Sequence, residues 1–229
     1  MDKPTPGSQA AAGYKIKITK DGPYIVTGGV PLSEQTPCID EEGQCRGWKE
    51  GKKYPAQESY ALCRCGHTKT PPFCDGSHHK TDFDGTEQAS HRVYLGRAGE
   101  VEGPELKLTD VQSLCASARF CHRDGGTWHL TRHSDERKAR QAAVEETADC
   151  PSGRLMVWDK EGNPIEPEFT PSIGLITDVQ AGVMGPLWVR GGIQIEGVDG
   201  KLYEIRNRVT LCRCGKSSNK PFCDGNHLK

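Results

Sequence analysis

Apolar residues along this chain come in short runs, each closed by Gly, Pro or charged positions. Tyr24-Ile25-Val26 and Leu187-Trp188-Val189 are β-type runs between Gly/Pro punctuation. The glycine pairs behind them, Gly28-Gly29 and Gly191-Gly192, predict a tight turn or bulge. Ile193-Gln194-Ile195 and Leu202-Tyr203-Glu204-Ile205 predict a hairpin turning at Val198-Asp199-Gly200-Lys201. Leu106-Lys107-Leu108 and Leu155-Met156-Val157-Trp158 predict two further strands. One helix is predicted from about Asp135 to Ala148, a stretch of helix formers without Gly or Pro, with Ser134 as its N-cap. The Gly/Glu/Lys-rich stretch Asp40 to Lys53 reads as a surface loop, and the proline-bearing stretch Asp159 to Pro171 as a linker.

The composition agrees with small cores. Hydrophobic residues are 34% of the 229, with 27 Gly and 15 Pro. Such chains usually need metal or disulfide help. A net charge of −1 offers no basic excess for phosphates and argues against nucleic acid as a partner. No apolar run approaches the ~20 residues that span a bilayer, so no membrane association is expected. Met1 to Gly13, with an acid at position 2 and no apolar core, is expected to be a disordered tail, not a secretory signal. The expected compartment is therefore the reducing cytoplasm, where 11 Cys point to metal or redox chemistry.

An internal repeat organises those cysteines. Residues 22–30 (GPYIVTGGV) match residues 185–193 (GPLWVRGGI). Leu62-Cys63-Arg64-Cys65-Gly66 matches Leu211-Cys212-Arg213-Cys214-Gly215, and Pro72-Phe73-Cys74-Asp75-Gly76 matches Pro221-Phe222-Cys223-Asp224-Gly225. The candidate ligands are Cys63, Cys65, Cys74 and His78 in the first copy, and Cys212, Cys214, Cys223 and His227 in the second. Three thiolates and one imidazole suit zinc or an iron–sulfur cluster, not Ca or Mg. The Cys-x-Cys pair converges in an extended segment, and Cys and His four apart meet if a helical turn begins at the Cys. Asp75 and Asp224 sit where they can accept N–H bonds at that turn.

These residues resemble the signature of the CDGSH iron–sulfur family, over about 20 residues in each copy plus the β-run ahead of it. The resemblance implies a [2Fe-2S] cluster in each copy. Cys63 and Cys65 would hold one iron, Cys74 and His78 the other; Cys212 and Cys214 would hold one, Cys223 and His227 its partner. The second copy has Asn226 where the family usually has Ser, a change that bears on tuning more than on ligation. Family members commonly pair as dimers, so two copies in one chain imply a monomer built as an intramolecular pseudo-dimer. A pair of structural zinc sites in an interaction module is the alternative, although zinc more often uses a Cys-x2-Cys or wider pair.

Three cysteines lie between the copies: Cys115, Cys121 and Cys150. Cys115 and Cys121 have the spacing of the outer two cysteines in a ferredoxin Cys-x2-Cys-x2-Cys run, with Ala118 at the centre, and Cys150-Pro151 follows the predicted helix. This segment is similar to divergent single-cluster ferredoxin domains. Three cysteines suffice for [3Fe-4S]; His122 or a small molecule would complete [4Fe-4S]; structural thiols are the other reading. Cys38 and Cys45 read as surface thiols or a redox-switchable pair.

The expected fold class is α+β, two small β-rich CDGSH-type units separated by a ferredoxin-like α+β domain. The expected division is a tail over 1–13, a first unit over 14–84, a linker over 85–103, a ferredoxin-like domain over 104–170 and a second unit over 171–229. The expected function is electron transfer or redox relay between redox or cluster-acceptor proteins, without catalysis. Cluster storage, transfer, or redox or pH sensing is the alternative. No Gly-x-Gly-x-x-Gly or P-loop lies in a strand–helix context, and no Gly-x-Ser-x-Gly occurs.

Overall fold

The computed structural model describes residues 10–229. Residues 1–9 of the expected tail lie outside them; Ala11 donates its N–H to Gly192 O at 2.9 Å. Among the described residues the architecture is mixed, mostly sheet with two α-helices.

The first half contributes β1 (Lys15–Ile18), β2 (Tyr24–Thr27), β3 (Leu32–Ile39), β4 (Cys45–Lys53) and β5 (Ser59–Leu62). The second half contributes β10 (Ser172–Asp178), β11 (Val183–Arg190), β12 (Gln194–Glu196) and β13 (Arg208–Leu211). Alternation sets which faces are buried. In β1 Ile16 and Ile18 point inward between exposed or half-exposed lysines, and in β2 Tyr24 and Val26 do the same. Strand β11 lies deeper, with Gly185 to Val189 all buried.

The two halves trade strands. One sheet runs β12-β1-β2-β5 and the other β13-β11-β10-β3-β4. Ile16 of β1 stands opposite Ile195 of β12 in a parallel pair, and Ile173 of β10 stands opposite Leu32 of β3 in another. The antiparallel registers also correspond: Tyr24↔Leu62 in one sheet and Leu187↔Leu211 in the other. Each half therefore supplies a strand to the sheet of the other. One apolar core spans both, joining Ile16, Val26, Ile173, Val189 and Ile195, and it extends to Tyr94 and Trp158. Each such buried side chain contributes about 1.5–3 kcal/mol.

The middle segment carries β6 (Gly99–Glu102), β7 (Lys107–Asp110), α1 (Thr127–Arg132), α2 (Arg137–Asp149), β8 (Leu155–Trp158) and β9 (Pro164–Ile165). Its sheet runs β6-β7-β8-β9, and its core packs Leu106, Leu108, Leu130, Ala143, Leu155 and Val157. Strand β6 and the fully buried Tyr94 come from residues 85–103.

Several local expectations change. The stretch 40–53 is not a surface loop: it holds β4, which pairs with β3 across bulges. Its alternation is masked because most of β4 is exposed, as an edge strand tolerates. Strand β9 interrupts the expected 159–171 linker. A second helix, α1, is too short for its periodicity to register. Helix α2 starts at Arg137, and Ser134 does not cap it; the Ser134 hydroxyl instead accepts N–H bonds from Glu105 and Leu106. Among the described residues, no helix is long and apolar enough to cross a membrane.

Candidate metal centres

In each copy a short antiparallel bridge draws the two halves of the motif together. Leu62 pairs with Phe73, and Leu211 with Phe222. On either side, Cys63 N donates to Pro72 O at 2.9 Å and Cys74 N to Ala61 O at 2.9 Å. Cys212 N donates to Pro221 O at 2.8 Å and Cys223 N to Thr210 O at 2.9 Å, the same pattern. The two cysteine-bearing segments of each copy are thus hydrogen-bonded neighbours.

Within each nest the donors come in twos. Cys63 Sγ lies 3.6 Å from Cys65 Sγ, and Cys74 Sγ lies 3.4 Å from His78 Nδ1. In the second nest the corresponding distances are 3.7 Å and 3.6 Å. Two ligands about 2.3 Å from one tetrahedral metal lie about 3.7 Å apart. Each pair is therefore spaced to share a metal atom, and each nest offers two pairs. Among the described residues, no group of three or more His, Cys, Asp and Glu side chains is placed to hold a single metal ion. Thiols and an imidazole are the donors that suit soft metals.

The expected turn after the third cysteine is present as a 3-10 turn, Ser77–Lys80 or Asn226–Leu228. Gly76 and Gly225 enter these turns at φ 83° and 85°, the left-handed region that favours glycine. Asp75 accepts N–H bonds from Ser77 and Lys69, both at 2.9 Å. Asp224 does the same for Asn226 at 3.1 Å and Ser218 at 2.8 Å. These carboxylates fix the turns that carry His78 and His227. The bonds from Lys69 and Ser77 hold the Asp75 carboxyl well below the usual carboxylate range.

The two kinds of donor differ electrostatically: the imidazoles are pushed toward their neutral form, while most of the thiols are pushed toward keeping their protons. Partial desolvation lowers both imidazole pKa values, which favours the neutral rings of His78 and His227. Burial pushes the Cys223 thiol up to about 12 and raises Cys65. Cys212 and Cys214 share a hydrogen bond that lowers the Cys212 pKa and raises that of Cys214. Backbone amides point at sulfur, His67 N at Cys65 Sγ and Gly225 N at Cys223 Sγ, both 3.4 Å. Arg213 is nearly buried, donating to Gly185 O and Ile176 O at 2.6 Å each, and Arg64 donates to Gly85 O.

The nests adjoin. A Cβ on Gly66 would meet Cys214 O at 2.8 Å, and a Cβ on Gly215 would meet Cys65 O at 2.7 Å. A cleft of about 940 Å³ is lined by Cys65 from one nest and by Cys214 and His227 from the other.

Cys115, Cys121 and Cys150 meet in a separate cavity of about 280 Å³, with Ala118 and His122 also in its wall. The loop bends sharply through Ser117 and Arg119, at φ 55° and 66°. Burial raises the Cys121 thiol to about 12, with Cys150 adding to the rise. Arg154 also lines the cavity and is fixed by Asp110 at 2.7 and 2.8 Å. Sequence reasoning missed this cation, since a lone Arg in a Gly-Arg-Leu context carries no signal. Cys38 is exposed, but Cys45 is buried, which corrects its reading as a surface thiol. His67 lines the cleft, and the His78 and His79 rings lie 4.0 Å apart.

Comparison with protein families matches residues 21–79 and 184–228 to the family described as iron-binding zinc finger, CDGSH type. Two CDGSH-type iron-binding segments lie in this one chain. Residues 101–160, between them, match the divergent 4Fe-4S mono-cluster family. The chain is thus an iron–sulfur protein with tandem CDGSH units flanking a middle domain. Searches of curated proteins and of solved structures return no match.

Proposed function

We propose that this CDGSH-type protein is a one-electron carrier with two [2Fe-2S] centres and a third centre between the repeats. Cys63 and Cys65 hold one iron of the first centre, and Cys74 and His78 the other. Cys212 and Cys214 hold one iron of the second, and Cys223 and His227 its partner. Cys115, Cys121 and Cys150 hold a [3Fe-4S] or [4Fe-4S] centre, His122 or a small molecule completing the latter. The pairing of donors at 3.4 to 3.7 Å, twice in each nest, is the observation that carries this reading. It favours a binuclear centre over the zinc alternative.

Such clusters supply one-electron chemistry. The chain supplies the tuning. A neutral imidazole in place of a thiolate makes each nest less negative, which raises its potential relative to all-Cys ligation. The amides on Cys65 and Cys223 and the nearby Arg213 act in the same direction. Arg154 balances negative charge at the middle site. The reciprocal strand exchange supports an intramolecular pseudo-dimer, so a single chain would have the two-nest arrangement without a second copy. Partners would be redox proteins, in the cytoplasm.

The first test is iron and acid-labile sulfide analysis of anaerobically purified protein, with electron paramagnetic resonance of its oxidised and reduced forms. Four irons in the two nests, further iron in the middle site and reversible reduction are expected. Colourless protein with zinc and no sulfide would overturn the reading. A second reading, cluster delivery, is favoured by one observation: no residue of the Ser77–Lys80 turn is buried. Rapid movement of cluster to an apo-ferredoxin would select it.

A further inference from the structure

The two nests share a motif but not a setting. Beside Gly76 in the first nest, an added Cβ would meet nothing within 4 Å. At the equivalent Gly225 it would run into Ser117 Oγ and meet Cys115 O at 3.5 Å. The loop that opens the middle cavity therefore lies directly on the turn that carries His227. Two more ties hold it there. Asn219 Nδ2 donates to Ser113 O at 2.8 Å, and Leu228, next to His227, forms part of the cavity wall. The second nest also touches the first, through the Gly66–Cys214 and Gly215–Cys65 contacts.

We propose that the second nest is the junction of a linear relay, in contact with the middle centre through Cys115–Ser117 and with the first nest through Cys65–Gly66. This order rests on the cluster assignment above. In each transfer one centre loses an electron and its neighbour gains it, with no bond made or broken. A centre held by Cys115, Cys121 and Cys150 would exchange electrons with the second nest, whose turn the middle loop touches. The first nest is the outer terminal of the series, and Gly225 is the positioning residue that admits the loop to the junction.

The test uses the full-length chain and reads magnetic interaction between paramagnetic centres, which a merely structural role would not produce. The signal of the middle centre should be split or broadened when the second nest is reduced. Cys223→Ser should abolish that splitting, and Cys74→Ser should leave it. Gly225→Ala, with its iron retained, should weaken it, whereas Gly76→Ala should not. Splitting that survives Cys223→Ser, or is lost in Cys74→Ser, would overturn the relay order while leaving the three centres standing. Iron absent from the middle site alone would also overturn it, and sulfide absent throughout would remove the cluster assignment itself.

Discussion

The Tyr24 hydroxyl donates to the backbone carbonyl of Cys212 at 2.8 Å, across 188 positions of sequence. It also reaches Pro221 O at 3.1 Å, so a residue of the first copy holds both segments of the second nest. The counterpart of Tyr24 is Leu187, which has no hydroxyl to return the tie. Tyr24→Phe leaves the Cys212 carbonyl without this donor, while Pro221 O keeps the Cys212 N–H, and should cost about 1–3 kcal/mol. Thermal denaturation would read the loss. Chelator challenge should then strip the second nest faster than the first, and equal rates would argue against the tie.

Asp75 and Asp224 set the turns that aim the two imidazoles. Asp75→Ala should speed loss of visible absorbance from the first nest, and Asp224→Ala from the second. The Asn variants keep one acceptor oxygen and should fall between Ala and wild type. Unchanged decay in the Ala variants would show that the turns hold without their carboxylates.

Glu146 supplies a pH dependence of a different kind. Burial lifts its carboxyl to about 7, against the opposing hydrogen bond from Thr127 and the charge of Arg123. The folded chain therefore keeps this proton up to about pH 7, whereas the unfolded chain releases it near 4.5. Its stabilising contribution is complete below about 4.5 and is lost as pH rises through about 7. Glu146→Gln mimics the protonated acid and should flatten that slope. Melting temperatures of the two proteins compared at about pH 5 and about pH 8 provide the check, and parallel profiles would refute it.

Arg208 of β13 is fully buried and ties the second copy to the middle domain. It pairs with Glu166, and donates to Cys150 O and Thr147 O, both at 2.8 Å. Removing one partner of such a buried pair costs about 3–5 kcal/mol. Arg208→Met should lower stability on that scale and, because Cys150 loses its anchor, reduce iron in the middle site before the nests. Calorimetry with iron analysis would reveal both effects; a variant with wild-type stability would contradict the account.

The nests were legible because metal donors need fixed local spacing, and the Cys-x-Cys and Cys-x3-His intervals repeat unchanged in both copies. Strands β2, β7, β8 and β11 were legible from their apolar runs. The exchange of β3 and β12 between sheets was not, because parallel pairing of segments far apart in sequence leaves no local trace. The hairpin of β3 and β4 was hidden by glycines and charges that an exposed edge strand tolerates. The contact of Ser117 with Gly225 was equally invisible, since the motif demands glycine at both 76 and 225 and only the fold distinguishes them.

Strand β1 emerges from the ribosome well before its edge partner β12, which ends at Glu196. At cellular translation speeds of about 5–20 residues per second, roughly 10–40 s separate the two. During that interval the amino-terminal sheet has an open edge, and Gly66 has no Cys214 carbonyl against it. Maturation of the leading nest must therefore wait for the trailing half of the polypeptide, or proceed on an unfinished scaffold. Cutting the gene between its repeats would not yield two working modules, but two fragments each lacking a strand that the other encodes.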